Sequence, residues 1–195
     1  MSTVKHNEQL IKIVLTGLTA ALAYVVFTFL QIKIPIGGDT QSIHLGNAIV
    51  VLGALLLGPI YGGLGGALGL TIGDLFDPVY VVSAPKTFLM KFLIGLIAGL
   101  IAHKAGKITH LQEPQQYFKW VLFAAIAALL FNAIFDPIIG YFYKLLILGK
   151  PAAELSISFR FVTTSINSVV SVIVSVLLYM AVRPALEKAH LLPKV

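Results

Sequence analysis

Nine polar side chains stand within or at the ends of otherwise apolar segments of this 195-residue chain. They are His44, Asn47, Asp74, Lys91, Asn132, Asp136, Arg160, Thr164 and Asn167. An ionisable group near the centre of a membrane span costs roughly 2.5–3.5 kcal/mol, so such groups usually face a cavity or one another. Because the set combines cations, carboxylates and amides, its chemistry suits the binding of a small polar solute.

The segments that carry these residues have the composition of a membrane protein. The chain is 58% hydrophobic and only 11% charged, with a mean hydropathy of +0.94, whereas soluble domains are about 25% charged. Several apolar runs approach the ~20 residues that cross a bilayer as a helix. They do not alternate as the strands of a membrane β-barrel would. The sequence therefore predicts an all-α integral membrane protein.

Six transmembrane helices in one compact bundle are predicted, and the whole chain, 1–195, forms a single membrane domain. The predicted helices are 9–32, 44–58, 60–76, 86–104, 117–135 and 156–182. The residues Pro35, Gly37, Gly38 and Asp39 predict a loop over 33–43, and VYVVSAP predicts an extended or re-entrant link. An even number of helices places both termini on one side. That side holds eight Lys and Arg against six on the other, which favours cytoplasmic termini.

With the helices laid antiparallel, the nine polar side chains fall into the outer half of the bundle. The inner half is almost purely Leu, Ile, Val, Ala and Gly. This asymmetry predicts a polar cup that opens outward and is sealed below. In the last helix, Arg160, Thr164 and Asn167 share one face with a row of serines. That face has two interpretations, a cup wall or a packing seam of small residues.

Several of these residues also have plainer structural interpretations. Lys91 would form an internal ion pair with Asp74 or Asp136. Arg160 and His44 would lie at the membrane interface, and Asp136-Pro137 would only end the fifth helix. The aromatic residues Tyr80, Tyr141, Phe142 and Tyr143 suit an interfacial belt better than a lid over the cup.

Two glycine ladders run through the region between His44 and Pro78. They are Gly58/Gly62/Gly66 and Gly65/Gly69/Gly73. In membranes, small residues at this spacing let helix backbones approach closely. We expect a tightly packed helical hairpin with its turn at Gly58-Pro59.

The chain contains no motif for ATP hydrolysis, for nucleophilic catalysis or for zinc-dependent hydrolysis. It has no G-x-x-x-x-G-K-[ST], no G-x-S-x-G, no H-E-x-x-H and no cysteine. We therefore expect no enzyme, no metal or cofactor in this chain and no nucleic-acid partner. The alternative is a proton-coupled secondary transporter that uses Asp74 and Asp136, although no inverted repeat is evident.

The stretch IHLGNAIVVLGALLLGPIYGGLGGALG, then GDLFDP and APKTFLMKFLIGLIAG, resembles a known family. It is similar to the S components of energy-coupling factor (ECF) vitamin transporters, within the riboflavin-type group that includes hydroxymethylpyrimidine, pyridoxine and pantothenate proteins. The resemblance is clear over about residues 10–105 and extends beyond them by topology.

The resemblance implies a substrate-capture subunit of an ABC-type importer in the bacterial cytoplasmic membrane. Such a subunit binds a vitamin or precursor and works with a transmembrane coupling subunit and two cytosolic ATPases, which bind the ATP. It delivers the vitamin by toppling in the bilayer. A hydroxymethylpyrimidine or pyridoxine-like ring is the leading candidate substrate, followed by pantothenate and riboflavin.

The family contacts its coupling subunit through alanines spaced four apart in the first helix. The corresponding small residues here are Thr16, Gly17, Ala20, Ala21 and Ala23. We expect this partner interface in the first helix, in an altered form of the family pattern.

Overall fold

The fold was analysed in a computed structural model that describes residues 2–36, 39–150, 157–193 and 195. Six α-helices form most of it, as predicted. Their bounds are α1 (Ser2–Phe29), α2 (Gly46–Leu57), α3 (Pro59–Leu75), α4 (Ala84–Gly99), α5 (Pro114–Phe142) and α6 (Ile157–Lys188). The helix α4 continues as a π-helical turn over Leu100–Ala105, and α5 does so over Tyr143–Ile147. The predicted start of the last helix, at residue 156, lies outside the described residues.

The chain is mainly helical, as predicted, but the loop predicted over 33–43 was wrong, because this region forms a β-hairpin. Strands β1 (Gln31–Ile36) and β2 (Asp39–His44) pair antiparallel, with Lys33 opposite Ser42 and Gln31 opposite His44. Gly37 and Gly38, which the sequence analysis placed in the loop, lie outside the described residues. The alternating isoleucines of QIKIPI were the strand signal. Pro35 is compatible with it because both strands of a two-stranded sheet are edge strands.

Helix boundaries also differ from the prediction, most clearly in α5 and in the link before α4. The helix α5 continues through Asp136-Pro137 and ends at Phe142. Proline is tolerated inside membrane helices because neighbouring groups satisfy the freed carbonyl. The link VYVVSAP is not extended: Val81–Ser83 form a 3-10 turn and α4 begins at Ala84.

Glycines bring α2, α3 and α4 into backbone contact. Gly58, with φ of 85°, makes the turn between α2 and α3. A Cβ on Gly62 would overlap the backbone of Gly53 and Ala54 in α2, and a Cβ on Gly95 of α4 would overlap Gly63 of α3. Such contact favours helix association where lipid replaces water.

Four helical segments are long and apolar enough to cross a membrane. They are Glu8–Phe29, Val81–Ala105, Pro114–Ile147 and Ile157–Lys188, and α2 is a shorter apolar helix. Their outer surfaces are apolar, with exposed side chains such as Leu18, Phe123 and Val169. An apolar surface of this extent suits contact with lipid rather than water.

The end of the bundle nearer the termini contains a buried cation that the sequence analysis did not identify. Arg183 is 1% exposed and donates to the backbone carbonyls of Ile108 (3.0 Å) and Leu111 (2.7 Å). Its guanidinium lies 3.9 Å from the ring centroid of Tyr117. These contacts fix the α4–α5 connection against α6 and close this end of the bundle.

Candidate functional site

A polar cavity occupies the opposite end of the bundle, between β2 and helices α2 to α6. It contains about 720 Å³ of space when its opening to solvent is counted. All nine polar residues singled out from the sequence line it: His44, Asn47, Asp74, Lys91, Asn132, Asp136, Arg160, Thr164 and Asn167. Side chains separated by up to 123 positions along the chain thus meet in one cavity.

The wall between α4 and α5 is built from two cross-helix contacts. Lys86 Nζ lies 2.9 Å from Asp136 Oδ1, and Lys91 Nζ lies 3.5 Å from Asn132 Oδ1. Asn132, fully buried, also donates from Nδ2 to Ser168 Oγ of α6 at 3.2 Å. The ion pair considered for Lys91 from the sequence is not formed among the described residues: Asp136 pairs with Lys86 instead.

Arg160 enters the cavity from the first turn of α6 and is 3% exposed. Its position depends on Gly140 of α5. A Cβ at Gly140 would lie 3.0 Å from Arg160 Nη1 and 3.7 Å from Lys86 Nζ. The missing side chain therefore makes room for two cationic groups beside α5, and the interpretation of Arg160 as an interfacial residue is wrong.

Asn167 connects α6 to the hairpin. Its Oδ1 accepts from the His44 backbone N–H at 3.0 Å, and its Nδ2 donates to the Ser42 carbonyl at 2.8 Å. An isolated two-stranded hairpin is only marginally stable, so such contacts help to hold it over the cavity. The ion pair between Lys33 and Asp77 attaches its other strand to the α3–α4 connection.

His44 ends β2 and is packed edge-to-face on Phe27, with ring centroids 4.9 Å apart. Its Nδ1 accepts from the Gly46 N–H at 3.1 Å, which leaves the ring proton on Nε2. Burial lowers the pKa of His44 to about 3, and the charge of Lys91 adds to the lowering. The ring is therefore neutral near pH 7.

Asn47 and Asp74 complete the floor of the cavity, at 1% and 3% exposure. Asn47 Oδ1 is buried without a hydrogen-bond partner in the described part of the chain. Asp74 lies near the end of α3, beside Thr87 of α4. Buried polar atoms without partners are rare in folded proteins and call for an explanation, such as a bound molecule.

Other lining residues were not chosen from the sequence. Phe27, Tyr80 and Tyr143 supply aromatic surface, and Thr40, Gln41 and Ser42 come from the hairpin. Tyr80 and Tyr143 thus line the cavity, and their place in an interfacial belt stays a prediction. These residues do not follow a helical or strand periodicity along the chain. Those of the hairpin reach the cavity because the hairpin lies over the helix ends.

The five small residues predicted as a partner interface fall on two sides of α1. Gly17 and Ala21 are exposed. Ala23 is fully buried beside Gly69 of α3, the backbone of Ala20 contacts Gly69, and that of Thr16 contacts Gly65. Thr16, Ala20 and Ala23 therefore pack largely inside the bundle.

No set of three or more His, Asp or Glu among the described residues is arranged to hold a metal ion. The polar groups that line the cavity are hydrogen-bonding and charged side chains. Among the described lining residues, four side chains are cationic (Lys86, Lys91, Lys144 and Arg160) and two are carboxylates (Asp74 and Asp136).

Comparison with known proteins agrees with this architecture. A family model described as "ECF-type riboflavin transporter, S component" matches residues 7–184. A solved structure described as the S component of a bacterial ECF transporter has the same fold, with a TM-score of 0.56 and 20% identity. The match covers 91% of this chain and 98% of that one. Comparison with curated protein sequences finds no match. The chain belongs to the ECF-type riboflavin transporter S component family, and is a membrane-embedded, substrate-binding subunit of an ECF importer.

Proposed function

We propose that this S component captures a small water-soluble vitamin or vitamin precursor in the cavity lined by the nine polar residues. The observation that carries the proposal is their convergence: five helices and β2 contribute polar groups to a single cavity. The opposite half of the bundle offers mainly apolar packing. A concave site with a few convergent polar groups is the usual form of a small-molecule binding site.

Delivery requires partners that this chain does not supply. We propose that a transmembrane coupling subunit and two cytosolic ATPases, which bind the ATP, move the loaded cavity across the bacterial cytoplasmic membrane by toppling this subunit. Both termini then lie in the cytoplasm and the cavity faces outward at the capture step. The exposed face of α1 at Gly17 and Ala21 suits the partner contact.

The candidate vitamins are those of the family resemblance: hydroxymethylpyrimidine or a pyridoxine-like ring, then pantothenate and riboflavin. The alternative of proton-coupled transport through Asp74 and Asp136 has less support. Asp136 is already in an ion pair with Lys86 at 2.9 Å, and this contact occupies one of the two carboxylates that the alternative needs.

Asn47→Leu tests the cavity as the binding site. The substitution removes a buried carbonyl oxygen that has no hydrogen-bond partner among the described residues, so the described contacts lose no hydrogen bond from that atom. We expect substrate affinity to fall on the order of tenfold, measured by calorimetry with the molecule that co-purifies with the wild-type protein. Ser175→Ala is the matched control, since Ser175 is fully buried in α6 but outside the cavity.

Co-purification and uptake test the coupling. Tagged protein should bring down a transmembrane subunit and two ATPases, and uptake should depend on ATP. Uptake that follows a proton gradient, with no ATPase bound, would contradict the proposed function and favour the secondary transporter.

A further inference from the structure

We propose that the substrate is a small organic acid whose carboxylate accepts a hydrogen bond from Lys91 Nζ. The proposal rests on the proposed function, because it takes the cavity to be the substrate site. It adds the chemical class of the substrate and the group that recognises it.

The first observation is the difference between the two contacts that join α4 and α5. In the contact nearer the cavity opening, the Lys86 ammonium meets the Asp136 carboxylate at 2.9 Å. In the deeper contact, the Lys91 ammonium meets the Asn132 amide oxygen, at 3.5 Å. Positions 132 and 136 are one helical turn apart on the same face of α5. Both contacts thus join a lysine of α4 to a side chain of α5. In the deeper contact, a neutral amide stands where the other contact has a carboxylate.

The second observation is the burial of Lys91. Its exposure is 7%, and it forms no ion pair with a carboxylate among the described residues. Removing a charged group from water costs several kcal/mol unless an opposite charge and hydrogen bonds compensate. A ligand carboxylate beside Lys91 supplies both. The contact between Lys86 and Asp136 shows that α4 and α5 are spaced to hold an ammonium–carboxylate pair.

The third observation is the charge of the whole lining. The described residues contribute four cationic side chains and two carboxylates, and His44 is neutral. A cavity with excess positive charge and low-dielectric walls attracts anions. The remaining groups, including Asn47 and Thr164, are neutral and suit the hydroxyl or amide groups of an uncharged molecular body.

Together these observations favour one carboxylate on a neutral polar body. Among the candidate vitamins they favour pantothenate over hydroxymethylpyrimidine, pyridoxine and riboflavin, which are uncharged near neutral pH.

Matched pairs of compounds test the charge requirement. Calorimetry on the detergent-purified protein compares pantothenate with panthenol, 4-pyridoxate with pyridoxine, and nicotinate with nicotinamide. At least one acid should bind on the order of 10- to 100-fold more tightly than its neutral partner, as expected for a charge-assisted hydrogen bond. Mass spectrometry of the molecule retained on purification provides an independent readout and should identify an acid.

Two substitutions test Lys91 itself. Lys91→Met should lower affinity for the acid on the order of 10- to 100-fold, bringing it near that of the neutral partner. Asn132→Asp should have the same effect by placing a carboxylate on the protein, while the Ser168 hydroxyl rotates to donate to it. The second variant keeps Lys91 buried in an ion pair, so it retains the fold if Lys91→Met does not. Lys104→Met, at an exposed site outside the cavity, is the control and should bind normally.

The outcomes separate this proposal from the proposed function. A neutral compound that binds at least as tightly as its acid, or a retained molecule without a carboxylate, overturns the acid class and leaves vitamin capture standing. If both variants bind the acid with an affinity within about twofold of the wild type, the role of Lys91 is overturned. If no molecule is retained and none of the six compounds binds, both proposals fail.

Discussion

At the scale of single residues, backbone contacts fix how the cavity side chains present their polar atoms. The Gly46 N–H occupies Nδ1 of His44, so the ring proton lies on Nε2. The amide of Asn167 is engaged at both ends by Ser42 and His44 of β2. Asn167 therefore acts mainly by positioning the hairpin, whereas Lys91 and Asn47 retain binding capacity for a ligand. Side chains held in one orientation bind with a smaller loss of entropy.

His44 should make the protein less stable in acid. With a folded pKa of about 3 and an ordinary value of 6.5 when unfolded, the ring binds a proton only on unfolding between these pH values. Its contribution to the free energy of unfolding should fall by up to about 1.4 kcal/mol per pH unit as the pH drops below 6.5. The melting temperature of His44→Gln should therefore fall less than that of the wild type between pH 7 and pH 4.

The exposed His110 provides the control for this pH experiment. His110→Gln should follow the wild-type curve of melting temperature against pH. Identical curves for His44→Gln and the wild type would show that burial of His44 does not carry the acid sensitivity.

At the scale of helices, α3 packs through three different glycine faces. Gly62 and Gly66 face α2, Gly65 and Gly69 face α1, and Gly63 faces α4. A helix surrounded in this way cannot accommodate side chains at those positions without moving its neighbours. The same packing places the ends of α2, α3 and α4 beside one another, where His44, Asp74 and Lys91 meet.

Gly62→Ala should destabilise the bundle. The new Cβ would overlap the backbone of Gly53 and Ala54, which cannot rotate away as a side chain could. We expect a loss of about 1–3 kcal/mol, seen as a lower melting temperature in detergent. Gly17→Ala is the matched control: nothing lies within 4 Å of its Cβ position, and Ala favours a helix over Gly. A Gly62→Ala variant as stable as Gly17→Ala would contradict the close packing of α2 and α3.

At the scale of the whole molecule, the two ends of the bundle differ. One end carries the polar cavity and its hairpin, and the other is closed by Arg183 and the α4–α5 connection. Between these two ends, α1 lies on the surface of the bundle. Only 11% of its apolar stretch within Glu8–Phe29 is buried. A body with an apolar outer surface can change its tilt in lipid without exposing buried polar groups, which is compatible with the proposed toppling.

The two sides of α1 should respond differently to larger side chains. Ala21→Leu, on the exposed side, should reduce co-purification of the coupling subunit and leave ligand affinity and melting temperature unchanged. Ala23→Leu should lower the melting temperature by overpacking, at a cost of about 1–3 kcal/mol, because Ala23 is fully buried beside Gly69.

Ala181→Leu is the matched control on the exposed surface of α6 and should assemble normally. If Ala21→Leu assembles as well as Ala181→Leu, the partner contact lies elsewhere on the molecule.

The sequence by itself determined that the fold is mainly helical and identified nine of the polar residues that line the cavity. Long apolar runs predict spanning helices, because an unsatisfied backbone is too costly in lipid. Polar residues in such runs are costly enough to stand out one by one. All nine of these predicted site residues line the cavity, and the six helices are present.

Only the tertiary structure decided how these residues pair and what covers them. Whether Lys91 meets Asp74, Asp136 or Asn132 depends on the relative height and rotation of α4 and α5, which no pattern within either helix determines. The hairpin was missed because the alternation in QIKIPI is short, and what holds the hairpin in place is distant contacts such as the bonds of Asn167 to Ser42 and His44. The way α4 and α5 meet across the bundle leaves Lys91 without a carboxylate partner among the described residues. No local pattern in the sequence determines this.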